Sequence, residues 1–192
     1  GRSTAQARSV LNQTCGLAVR HEAMAANPMA LVAQPQREDR EVEVLDLQQV
    51  WTLRALVRPE SLRRPGKRGP NSDLRDVIEC LLGTGCRIGE LLALRWQDLD
   101  LHADLPTARI CGTLVEPRKD YVAKLHRQPS TKTKGVRTLV LPDAVVEVLL
   151  RRRSEARFID GEPPVFASRT GRWLWPNNIR TRLRHAVTDH DA

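Results

Sequence analysis

Residues 83 to 95 read GTGCRIGELLALR, and this stretch constrains the fold more than any other. Ahead of it, DLRDVIECLL (73–82) puts Leu74, Val77, Ile78, Leu81 and Leu82 on one helical face, with Ser72 or Asp73 as its cap. Gly83-Thr84-Gly85 stops that helix, and a second apolar helix is expected to run to about Trp96. Arg87 stands at its mouth. Guanidinium groups do not belong in cores, yet Ile88, Leu91, Leu92 and Leu94 argue for a buried surround. An arginine placed this way is suited to clamping a phosphate, because its planar fork matches a pair of oxygens.

The rest of the chain supplies a frame for that feature. Val10, Leu11, Cys15, Leu17, Ala18 and Met24 fall on helical spacing within residues 4–26, and Asn27-Pro28 ends that helix. QPQREDREVE is polar and charged, which marks a linker at 34–44 between a helical unit, 1–33, and a main domain, 45–192. Leu45 to Val57 reads as a helix with Asp46 as its cap. RPESLRRPGKRGPNS (58–72) is an exposed basic loop. From 107 the period shifts toward two, so ARICGTLVE (108–116) and VRTLVLP (136–142) read as strands around an unpatterned cationic stretch. A helix over 142–153, a short strand at VFAS and a last helix, PNNIRTRLRHAV (176–187), complete the reading. The class is mainly α with a small antiparallel β-sheet.

Charge narrows the partner. The chain has 31 Lys plus Arg against 23 Asp plus Glu, a net charge of +8. A protein this basic usually meets a polyanion, with nucleic acid the first choice and a merely basic surface the bland one. At 41% apolar residues, a substantial core is within reach. Four cysteines without a Cys-x-x-Cys pair fit free thiols in a reducing cytoplasm, and with a nucleic-acid partner a nucleoid-associated location is expected. Glu79, Arg87 and Glu90 interrupt the longest apolar region, which gives no sign of a membrane role.

TGCRIGELLALRWQDLDL (84–101) resembles the first conserved box of the tyrosine recombinases, the phage integrase family. STKTKGVRTLVLPDAVVEVLL (130–150) resembles that family's β-hairpin and the helix after it, and VFASRTGRWLWPNNIRTRLRHAV (165–187) the segment before its second box. AVRHEAMAANPMALV is similar to the last helix of the family's core-binding domain. The resemblance implies an incomplete tyrosine-recombinase catalytic-domain fold at 45–192, preceded by the end of a helical core-binding domain.

It also implies a chemistry. A tyrosine hydroxyl attacks a DNA phosphodiester in line, without metal or cofactor, and fixed cations must sit where charge builds on the non-bridging oxygens. By resemblance Arg87 is the first catalytic arginine, and its backbone surroundings at a helix start are expected to assist. Lys132 is the proton donor to the departing 5′ oxygen, with Lys134 as the alternative. Glu90 orients groups behind the site, and Asp98 and Asp100 serve capping and ion pairs rather than a metal. Arg63, Arg64, Lys67, Arg68, Lys134, Arg137 and Arg172 are the expected phosphate contacts, within basic runs that include 151–157 and 169–184.

Thr181 in TRLRHAV stands where the second box needs histidine, so Arg184 and His185 are not assigned to catalysis, and His190 has no arginine after it. The one tyrosine, Tyr121, lies between the first box and the lysines, far from the family's nucleophile position. The expectation is a fragment, truncated before the second box, of a recombinase that forms a 3′-phosphotyrosine link and works as a tetramer on double-stranded DNA. The alternatives are a truncated non-catalytic DNA-binding protein of the same fold and an unrelated helical regulator.

Overall fold

The computed structural model describes residues 2–33, 43–57, 72–117, 124–129, 135–158, 161–168 and 170–188. In chain order the elements are α1 (Arg2–Arg20), α2 (Leu47–Leu56), α3 (Ser72–Thr84), α4 (Ile88–Leu91), β1 (Leu99–Asp100), β2 (Thr107–Ile110), β3 (Thr113–Val115), β4 (His126–Gln128), β5 (Arg137–Val140), α5 (Asp143–Ser154) and α6 (Pro176–Thr188). Two short 3-10 turns, Pro28–Leu31 and Trp96–Asp98, join them. The residues cluster into two units, Gly1–Val44 and Leu45–Ala192.

In the first unit α1 stops at Arg20, short of the expected 26. Glu22 takes a positive φ of 58° just beyond it. Asn27 then starts the 3-10 turn by accepting the Met29 N–H at 3.0 Å, while its own amide donates to Asn12 Oδ1 at 3.0 Å. Polar side chains set this fold-back. Val10, Leu11, Leu17 and Leu31 stay exposed.

The second unit holds the core. Asp46 accepts the Gln49 N–H at 2.7 Å and Gln49 Oε1 accepts the Asp46 N–H at 3.0 Å, a reciprocal cap that starts α2. On α3 the inner face is Leu74, Val77, Ile78 and Cys80, with Leu81 at its edge. Leu82, expected on that face, is turned out. Helix α3 packs on α5, which buries Val145 and Leu149. Gly83 allows the approach, since a Cβ there would collide with Val145 Cγ2. Gly85 acts differently, through its φ of 62°, which turns the chain out of α3.

The helix expected from Arg87 to Trp96 is a single turn, α4, followed by a bend into the 3-10 turn. Two acids mark where the turns begin. Glu90 and Asp98 each fold back onto the backbone N–H of the arginine three residues before them, at 3.1 Å in both cases. These caps start two separate turns instead of one helix.

The strand expected over 108–116 is also broken. It divides at Cys111-Gly112 into β2, which lies between β1 and β5 in an antiparallel sheet, and β3, which pairs with β4. Ala108 faces Leu139 and Ile110 faces Arg137 across β2–β5, while Leu114 faces Arg127 across β3–β4. Strand β4 lies inside the stretch that lacked a sequence pattern, because His126-Arg127-Gln128 has no apolar alternation to betray it. VFAS forms no strand either. Val165 and Phe166 are buried coil, tied by the Val165 N–H to Leu94 O at 2.9 Å, with isolated bridges at Pro164, just before, and at Ala167. The architecture is mainly helical with small antiparallel sheets, as its class predicts. Among the described residues no helix is long and apolar enough to cross a membrane.

Candidate nucleic-acid interface

The site grows from one buried carboxylate. Glu90, on α4, is 1% exposed at its side chain. It accepts the Arg87 backbone N–H at 3.1 Å, Arg87 Nη1 at 3.1 Å and Arg137 Nη2 at 2.7 Å. Burial by itself raises the Glu90 pKa, but the hydrogen bonds from Arg137 and the Arg87 backbone, with the Arg137 charge, outweigh it and hold the carboxyl below its ordinary value. The hydrogen bond from Arg137 to Glu90 in turn raises the arginine's pKa. Glu90 is therefore a fixed anion between two cations.

The two arginines differ in what they leave free. Arg87 keeps 59% of its side chain exposed, so one edge of its fork is fastened and the rest faces solvent. Its own N–H is taken by Glu90, and α4 has only four residues, so little backbone assistance remains of the kind expected at a helix start. Arg137 reaches Glu90 because β5 alternates: Leu139 and Leu141 pack inward, and Arg137 two residues earlier shares their face. The alternation in VRTLVLP carried that signal, although the sequence assigned Arg137 to phosphate contact alone.

The remaining sequence candidates separate. Lys132, Lys134, Arg63, Arg64, Lys67, Arg68, Tyr121 and His190 lie outside the described residues. Arg172 is exposed on a turn that its own backbone closes with Ser168, and it is not part of the Glu90 cluster. Of the basic run at 151–157, two members face inward duties. Arg151 Nη2 and Arg152 Nη1 hold the buried Asp76 carboxylate at 2.6 and 2.8 Å, and Arg152 also covers the Phe166 ring at 4.6 Å. Arg153 lies over Trp96, which is buried. Asp98 pairs with Arg95, whose Nε and Nη2 approach its oxygens at 3.0 and 2.9 Å.

The profile of the phage integrase family matches residues 68–192, more than half of the chain. The chain belongs to the phage integrase family. Comparison with curated proteins by sequence returned no match. Among solved structures, an integrase of the Tn1549 transposon in complex with a circular intermediate DNA superposes with a TM-score of 0.70 at 18% identity, covering 98% of this chain and 59% of that one. A lambda integrase dimer bound to a core site gives 0.62 at 20% identity, over 97% and 45%. A lambda integrase tetramer bound to a Holliday junction gives 0.57 at 19% identity, over 97% and 47%. This phage integrase family member thus spans less than two thirds of the length of those solved relatives, and it shares their fold.

Proposed function

We propose that the chain carries the first half of the phosphodiester clamp of a site-specific DNA recombinase. Arg87 is its phosphate-binding fork and Glu90 the carboxylate that aims it. The observation that carries this reading is the pairing of a buried Glu90 with an Arg87 side chain still 59% exposed. A cation held at one edge and open at the other is pre-organised for an anion, and fixed donors need no rearrangement as charge develops. Lys132, or Lys134 in its place, is the proton donor to the 5′ oxygen, and Arg63, Arg64, Lys67, Arg68, Lys134, Arg137 and Arg172 are backbone contacts.

Family membership and the DNA-bound state of the solved relatives support double-stranded DNA as the substrate, and the lambda tetramer supports a tetrameric assembly of the whole protein. Integration or excision through a 3′-phosphotyrosine intermediate is the proposed activity of that whole. The 192-residue chain, with Tyr121 as its single tyrosine, is proposed to bind duplex DNA without cutting it. We assign residues 1–33 to the end of a core-binding domain, 34–44 to a linker and 45–192 to the catalytic domain.

The test is a binding isotherm on duplex DNA across a salt series. If roughly six phosphates are engaged, affinity falls about a thousandfold between about 50 and about 200 mM salt. Arg87→Ala is expected to weaken binding about tenfold, as loss of a charge-assisted contact does. Absence of duplex binding at low salt overturns the reading.

A further inference from the structure

Arg127 makes an arrangement that no part of the clamp explains. Its side chain is 13% exposed, too covered to serve as a phosphate contact. From β4 it crosses the face of Gly112, where a Cβ would lie 2.6 Å from its Cζ. Beyond that glycine, Nε donates to the Ala93 carbonyl at 3.0 Å, in the bend that follows α4. Nη2 reaches Cys111 Sγ at 3.1 Å and Asp98 Oδ2 at 3.7 Å. Cys111 Sγ donates onward to Asp98 Oδ1 at 3.3 Å, and Arg95 holds the same carboxylate from the other side.

The β3–β4 pair needs such a fastening. Two strands of three residues are marginal by themselves. Strand β3 is seated by buried Leu114 and by Gly89 of α4, whose Cβ would meet Thr113 Oγ1 at 2.9 Å. For β4 the inward side chains are Arg127 and, just before the strand, the partly buried Leu125. The guanidinium therefore sets where β4 sits against the bend that leaves α4. Helix α4 begins directly after Arg87, and β4 ends four residues before Lys132 in the sequence.

We propose that Arg127, with Asp98 as its counter-ion and Gly112 as its passage, is a positioning residue that fixes the end of β4, from which the sequence runs on to Lys132, relative to the turn carrying Arg87. The positioning role rests on the functional reading above; the anchoring does not, and the two are tested separately.

Hydrogen exchange on the 192-residue chain reads the anchor. Arg127→Ala is expected to speed amide exchange in β3 and β4 by about tenfold or more while α3 and α5 keep their protection. Unchanged β3–β4 protection overturns the proposal. If Arg127→Ala loses protection throughout, Arg127→Lys, which keeps the stem and charge but not the fork, must show the selective loss. Global loss in both variants also overturns it, since the residue is then a core group.

A double-mutant cycle of Arg127→Ala with Lys132→Ala in duplex binding reads the positioning. Non-additive losses support it and additive ones overturn it, because a fault unrelated to the β3–β4 pair would simply add. If the unaltered chain binds no duplex at all, the functional reading fails and the positioning role with it, and the exchange result decides the anchor alone.

Discussion

Glu90 sits where a carboxylate is costly to bury, and two guanidiniums and a backbone N–H make it tolerable. Its pKa is depressed in the folded chain, so the stability it contributes is fully present above the ordinary glutamate value and is lost as pH falls through the lower, folded one. Glu90→Gln is therefore expected to flatten the acid limb of a stability-against-pH curve from urea melts, and an unaltered limb would contradict the linkage. At this scale the place of Arg87 at the turn was legible because glycines and apolar neighbours isolate it. Arg137 was half legible: its inward phase is written in Leu139 and Leu141, but a partner on α4 is a long-range fact that no local pattern carries. Arg127 was illegible, since its three partners come from distant positions and its own strand has no apolar rhythm. Cys80, at the other extreme, is chemically quiet, because burial pushes its thiol up to about 12.

Two elements are built on one device. Arg87-Ile88-Gly89-Glu90 and Arg95-Trp96-Gln97-Asp98 both fold an acid back onto the N–H and the guanidinium of the arginine three residues earlier. In the second copy the arginine is 14% exposed and serves the core; in the first it opens to solvent. The spacing in RIGELLALRWQD was visible as one apolar helix, and it misled, because the Asp98 cap at Arg95 opens a new turn where that helix would have continued. The α3–α5 contact gives a sharper check on an element. Gly83→Ala is expected to destabilise the chain by about 1–3 kcal/mol in urea titration, through the clash with Val145, and Val145→Ala in the same chain is expected to restore part of that loss.

The larger unit is tied across its width by charge as well as by apolar packing. Asp76, 1% exposed, joins α3 to α5 through Arg151 and Arg152, and Arg152 also bridges to Asp73. Asp76→Ala would leave Arg152 to Asp73 alone and release Arg151, 40% exposed, to solvent, and is expected to cost about 1–3 kcal/mol, measured as a lower urea midpoint with unchanged slope. The sequence foresaw α2, α3, α5 and α6 from their periodicity and the family from 84–101 and 130–150, yet it counted these arginines among the basic runs offered to DNA, because their partner lies far back in the chain. One consequence follows from the brevity of α4. A single turn sums too few peptide dipoles to draw an anion, so the pull there resides in removable side-chain charge. On the proposed reading Glu90 is a throttle: neutralising it leaves two cations where one net charge stood, and raw attraction rises as aim is lost.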